Sequence, residues 1–340
     1  MLIADELAGR RELIASSPEL AALLANIHRR NSRAIAEAPP LPETKALLSV
    51  DGGRCEDCGG ALVFDPWSPR VHRCSRCSRE HGGTRHDRAW ARWQHLWLAG
   101  RAAETAALAV LAEDDAAGAR ARTILAAYGE RYLDYPNEDN VLGPARLFFS
   151  TYLESIWLTD YLAAAHLLRE GGLLDDDTAE AVNRVADEAA NLIGDFDEGF
   201  SNRQTWHDAA LLATAVWFED EDLANRAIQG ETGLVAHLLH GFGADGLWYE
   251  GENYHLFALR GLLTGFGWAR LAGVEAFDEP ALRPRLVSAL RAPALTALPD
   301  LTFPARRDAR FGVSLAQPMY LELWEVGLAR LRATAGDTAD

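Results

Sequence analysis

Lysine is almost missing from this 340-residue chain: Lys45 is the only one, so nearly every positive charge is an arginine. Basic residues of both kinds are also outnumbered, 33 against 50 acidic, for a formal charge of -17. A chain that repels anions so strongly is a poor partner for a nucleic-acid backbone or an anionic membrane. It can still hold an anionic ligand in a local cationic pocket. No stretch reaches the roughly 18 consecutive apolar residues of a membrane span. The start, MLIADELAGRRELIASSPEL, has no basic segment followed by an apolar one, so it does not read as a signal peptide. These two absences predict an intracellular, cytoplasmic protein. Cysteine is scarce as well, with four in all, and their positions carry information.

Those four are Cys55 and Cys58, then Cys74 and Cys77: two Cys-x2-Cys pairs separated by fifteen residues. That spacing suits four thiolates around one zinc ion, because two tight turns close a tetrahedron. Two disulfides are the other arrangement, and a chain without a signal peptide disfavours them. Four thiolates leave no open coordination position, so zinc here is expected to be structural. Residues 51–86 are accordingly expected to form a zinc-binding knob. Before it, residues 3–32 carry two amphipathic helical patterns broken near Ser16-Ser17-Pro18, and residues 33–50, with Pro39, Pro40 and Pro42, read as a linker. Residues 1–50 are thus a helical arm and linker.

From residue 87 to about 335 strand alternation is nearly absent. Helices that are apolar nearly all round (89–111, 145–168, 204–218, 254–271) alternate with one-sided ones (119–132, 177–193, 221–240 interrupted near Gly230, 280–298), and a last helix covers 319–331. A helix apolar all round must be buried and a one-sided helix sits outside. The apolar type recurs about every 55 residues, the mark of stacked helix pairs sharing a continuous core. The predicted fold is all-α, an incomplete (α/α) toroid carrying a small N-terminal zinc knob.

Polar, aromatic and titratable residues crowd into two short stretches, SNRQTWH at 201–207 and DGLWYEGENYHLFALR at 245–260. Ser201 with Gln204 fits a capping box, and Asn253 is a plausible N-cap, so both stretches are expected to open helices. Gly251 permits an unusual backbone angle just before the second. In parallel inner helices the two N-termini would face one cleft, where partial positive charge and unpaired N–H groups favour a bound carboxylate. Arg203 and Gln204 in the first stretch, and Glu250 and His255 in the second, are polar candidates for contacting it. Trp206, Trp248 and Tyr249 offer flat faces on which a sugar ring can pack, and Arg306, Arg307 and Arg310 could hold an anion.

The four-cysteine segment, HDRAWARWQHLWLAGRAAE, SNRQTWHDAALLA, GLWYEGENYHLFALRG and FPARRDARFGVSL, in this order, resemble the heparinase II/III-like polysaccharide lyases, which include oligoalginate lyases. The resemblance implies β-elimination of a uronate-containing polysaccharide or oligosaccharide. It implies that Asn202 neutralises the carboxylate, that Tyr254 is the acid, or base and acid, at the glycosidic oxygen, and that His207 is the supporting histidine or the base. Several lyases of this group have histidine after the asparagine, where this chain has Arg203. The family also places a large β-sandwich after the toroid and draws a further histidine from it, and no such domain is within these 340 residues. A phenol ordinarily titrates near 10, so Tyr254 as base would need Arg203 and the helix ends to lower it. Two other functions fit the same residues: a glycoside hydrolase using Glu250 with Asp208 or Asp245, and a helical scaffold that binds glycan without cleaving it.

Overall fold

The computed structural model describes residues 3–48, 51–308 and 310–335. They form two compact units that meet between Phe196 and Asp197. Both are mostly helical; among the described residues the one sheet is a two-stranded ladder, β1 (His72–Arg73) with β2 (Glu80–His81), antiparallel. Among the described residues no helix is long and apolar enough to cross a membrane.

The first unit opens with α1 (Ala4–Ser16) and α2 (Pro18–Ala36), separated at Ser17, whose hydroxyl accepts the Leu20 N–H ahead of a proline at the first helical position. After the cysteine segment come α3 (Thr84–Leu111), α4 (Asp115–Arg131), α5 (Thr151–Glu170) and α6 (Asp176–Gly194). α3 packs along both α4 and α5, and α6 lies against both of those in turn. Asp114 and Asp175 cap α4 and α6 by accepting the N–H of the residue three further on. The core is aromatic. Tyr132 and Tyr161 both stack on Trp157 with centroids 5.6 and 4.9 Å apart, and Tyr128 meets the same indole edge-on. His95 donates or accepts at the Tyr128 hydroxyl over 2.9 Å, and burial alone pushes its pKa down to about 3.

Two sequence expectations fail here for the same reason, a buried charge that reorganises the backbone around it. Residues 37–48 are extended but are not a free linker. The Lys45 ammonium is buried and donates to the carbonyls of Pro136 (3.0 Å), Glu138 (2.6 Å) and Ala145 (2.5 Å) and to the Asn140 side chain (2.7 Å). The Gln94 amide and the Tyr135 hydroxyl bind the Pro40 and Pro42 carbonyls of the same strap. Likewise the apolar run from Ala145 does not start a helix, which begins only at Thr151. The fully buried Glu154 carboxylate instead accepts the Arg146 and Leu147 N–H groups and the Tyr132 hydroxyl, and holds residues 145–150 as a turn.

The second unit contains α7 (Gln204–Phe218), α8 (Glu221–Gln229), a short α9 (Leu234–Ala236) running into a π-helical turn at His237–Gly241, α10 (Glu252–Ala269), α11 (Arg283–Thr296) and α12 (Pro318–Ala335). The break near Gly230 is where the sequence puts it. α7 and α10 are the central pair of this unit. They approach closely because position 261 is glycine: a Cβ there would stand 2.2 Å from the Thr205 hydroxyl. Every residue of α7 from Gln204 to Ala215 is buried, as a helix without a polar face requires.

Burial pushes Glu154 up to about 6 from an ordinary 4.5. The folded protein therefore holds this proton more tightly than the unfolded chain. Its contribution to stability is complete below about pH 4.5 and is lost as pH rises through about 6, for a total of about 2 kcal/mol. Denaturant unfolding of wild type and Glu154→Gln across this range should show the wild-type advantage shrinking by about that amount. A pH-independent difference would contradict it.

Candidate functional site

The loop that enters α7 is built around Gln204. Its side-chain oxygen accepts the Glu198 backbone N–H at 3.0 Å and faces His207 Nδ1 at 3.1 Å, while its amide nitrogen donates to Asp208 at 3.0 Å. Because this side chain is engaged, it does not reach back to close a capping box. Ser201 Oγ accepts the Arg203 N–H instead, residues 202–203 form a turn, and the helix starts at Gln204. His207 is fully buried, with Nε2 4.0 Å from the Glu198 carboxylate. That carboxylate, 7% exposed, takes the Arg203 Nε at 2.8 and 3.0 Å. Asp208 lies deeper, 3.8 Å from His237 Nδ1, and burial pushes its pKa well up.

At α10 the cap is Gly251, not Asn253. Its φ of 107° is open only to glycine, and it swings the chain from the 248–250 turn into the helix. His255, in the first turn, is buried, and its tautomer is fixed: Nε2 donates to the Ala289 carbonyl at 2.9 Å and Nδ1 accepts the Trp248 N–H at 3.1 Å. Burial lowers its pKa to about 4. His255 thus holds the turn in place and presents nothing outward.

The two helix entrances are tied together. One oxygen of Glu250 accepts both the Asn202 amide and the Trp248 indole N–H, each at 2.7 Å. The Tyr249 hydroxyl donates to the Phe200 carbonyl at 2.7 Å. Trp206 and Trp248, expected to lie open to a sugar, belong to the core instead. Trp248 is 2% exposed between Phe242 and Tyr249, and Trp206 is 3% exposed against Phe257. Their indoles fill the space beneath the two helix starts, and the amphipathic ring that stays accessible is Tyr249, 45% exposed.

The segment after Pro299 folds back over α10. The Arg306 guanidinium pairs with the buried Glu252 carboxylate, Arg307 donates to the Tyr249 carbonyl, and the Arg310 N–H reaches Asn253 at 3.4 Å. Accessible side chains at this end are therefore Arg203, Tyr249, Glu250, Asn253 and Tyr254, with the three arginines alongside. Tyr254 is half-buried, and its hydroxyl has no hydrogen bond among the described residues. Asn202, 2% exposed, forms the floor. A rim of arginines, two helix N-termini and a phenol suit an oxyanion with a nearby group to protonate. Glu198, Glu252 and His237 were not singled out from sequence. Glu198 is placed by Arg203, His237 by the Gly233 carbonyl and Asp208, and Glu252 by Arg306, and the pairs distant in sequence leave no mark in its periodicity.

The cysteine segment makes two matching turns. Each ends four residues after its first cysteine in left-handed backbone, at Gly59 and Ser78. The sulfurs of Cys55 and Cys77 are 3.6 Å apart and those of Cys58 and Cys74 3.5 Å, and all four cysteines are free of disulfides. A tetrahedral ion with metal–sulfur bonds of 2.3 Å has edges of roughly 3.8 Å, so the set fits a metal ion. The Cys77 and Arg76 N–H groups point at Cys74 Sγ (3.5 and 3.3 Å) and draw its pKa down to about 6, while desolvation and the neighbouring sulfurs push Cys77 up to about 12, so the thiols share their protons unevenly.

Replacing Glu250 with alanine strands the Asn202 amide and the Trp248 indole together. The variant is expected to lose about 2–4 kcal/mol of unfolding free energy, measured by urea denaturation followed through tryptophan fluorescence. Wild-type stability would show that the carboxylate does not join the two helix entrances.

No family model matches this chain, and no curated protein does. Among solved structures, an alginate lyase from Bacteroides ovatus aligns over 96% of this chain and 89% of its own, with a TM-score of 0.62 and 16% sequence identity. At that identity the likeness is one of fold.

Proposed function

We propose that this protein is a polysaccharide lyase that cleaves a uronate-containing glycan by β-elimination. The observation that carries the reading is the joining of two helix entrances through Glu250, which sets Asn202, Arg203 and Tyr254 at one end of the α7–α10 pair beneath a rim of arginines. The likeness of fold to an alginate lyase supports it. So does the resemblance of SNRQTWH and WYEGENYH to heparinase II/III-like lyases, whose incomplete (α/α) toroid is the architecture we assign to the helix pairs.

In the reaction, the proton on C5 of the uronate leaves, a C4–C5 double bond forms, the C4–O bond breaks and the departing glycosidic oxygen gains a proton. The C5 proton is removed only if the charge that spreads into the carboxylate is offset. Asn202 takes that role from the floor of the site, helped by Arg203 and Arg307. Tyr254 serves as base and acid in turn: its phenolate oxygen takes the C5 proton and then hands it to the leaving glycosidic oxygen. His207 is fully buried behind Arg203 and Gln204, and its role is to fix that entrance. Tyr249 supplies the flat face for a sugar ring. The four cysteines hold a structural zinc, whose chemistry is confined to bracing the knob. The hydrolase alternative finds less support: Asp208 is buried against Gln204, and Asp245 is engaged in its own turn, accepting the Leu247 N–H.

Incubation with polymannuronate, polyguluronate, glucuronan and heparan sulfate should yield an unsaturated, ultraviolet-absorbing product from at least one of them. Tyr254→Phe should lower kcat by roughly 10²–10⁴, and Arg307→Ala should chiefly raise KM. Saturated reducing ends that vanish in Glu250→Gln but persist in Tyr254→Phe would identify a hydrolase. Binding without turnover would identify a scaffold.

A further inference from the structure

The cysteine knob carries a second group of ligating side chains that the four thiolates do not use. Glu56 lies within the first Cys-x2-Cys turn, His81 on β2 and His86 in the first turn of α3, and one ligand atom from each falls within 4.8 Å of the others. His86 is buried, and its Nδ1 sits 2.6 Å from the Gly52 carbonyl oxygen. A carbonyl only accepts, so the proton is on Nδ1 and Nε2 offers its lone pair. Holding one ring nitrogen by a carbonyl so that the other is free and aimed is how proteins orient metal-binding histidines. That Nε2 faces Glu56 Oε1 at 3.4 Å. Ligands 2.0–2.1 Å from a tetrahedral ion are separated by roughly 3.4 Å.

From this we infer that Glu56, His81 and His86 form a second divalent-metal site beside the four-cysteine one. Two imidazoles and a carboxylate suit a borderline ion such as Zn²⁺ or Co²⁺, with water completing the shell. The site would clamp together three pieces of the knob and its exit: the first knuckle, β2 and the start of α3. His81 borders the neighbouring site as well: its Nε2 lies 3.1 Å from Cys55 Sγ and 3.8 Å from the Asp57 carboxylate, and a proton on Nε2 donated to that sulfur is the arrangement that competes with ligation there. The competing structure is a plain ion pair, because Arg85 also reaches Glu56 Oε1 at 3.2 Å. A guanidinium there does not require a lone pair from His86, and the buried, carbonyl-held imidazole is what favours a metal.

The full-length protein, stripped of metal under reducing conditions, would be titrated with Co²⁺. Wild type should take up two equivalents. One should show the intense thiolate-to-cobalt charge-transfer absorption of a sulfur site, and the other only weak visible bands. Glu56→Gln, and His86→Asn, which keeps a donor for the Gly52 carbonyl, should each lose the weak-band equivalent while retaining the charge-transfer band as proof that the knob is folded. Saturation of wild type at the charge-transfer equivalent alone would overturn the inference. So would a second equivalent that both variants retain. Absence of charge transfer with the weak bands intact would remove the four-cysteine metal and leave this site standing.

Discussion

One oxygen of Glu250 accepts two hydrogen bonds, and the geometry of the candidate site depends on them. The Asn202 amide comes from the turn before α7 and the Trp248 indole from the turn before α10. A half-buried carboxylate that receives donors from both loops costs little desolvation and fixes their relative position to within a hydrogen bond. Gly251 and Gly261 let the backbone comply, the first by its left-handed φ and the second by admitting Thr205 against α10. Behind the contact stands a layer of buried polar groups, Glu198, Gln204, His207 and Asp208, that keeps the α7 entrance from relaxing.

Four arginines, Arg203, Arg306, Arg307 and Arg310, line the outer face of this arrangement although the chain as a whole is strongly acidic. Arg203 is held by Glu198, Arg306 by Glu252, and Arg307 by a carbonyl, so each guanidinium is positioned by a short local contact. Charge held this way recruits an anion locally while the net charge repels polyanions elsewhere. An acidic glycan, with its charges spaced along a neutral backbone, is better matched to such a spot than a nucleic acid.

How much of this was legible in the sequence follows from the range of the forces involved. Periodicity and caps act over a few residues, and they located the break at Ser17, the end of α7 and the interruption near Gly230. The Cys-x2-Cys pairs were equally plain, since ligand spacing is a local property. What stayed hidden was non-local. Lys45 and Glu154 rearrange the segments around them through partners about ninety and about eight residues away, and Gln204 gives up its capping role because Glu198, His207 and Asp208 all compete for it. Trp206 and Trp248 illustrate the same limit: an aromatic next to polar residues reads as a sugar platform until the packing beneath the helix starts is known.

The central claim is that the entrances of α7 and α10 jointly receive one uronate. A crystal structure of Tyr254→Phe soaked with a uronate trisaccharide tests it most directly. The account predicts a sugar carboxylate within hydrogen-bond distance of Asn202 or Arg203, with the ring of residue 254 against the glycosidic oxygen. A trisaccharide bound elsewhere, or one at this end whose carboxylates all point away from α7, would contradict it.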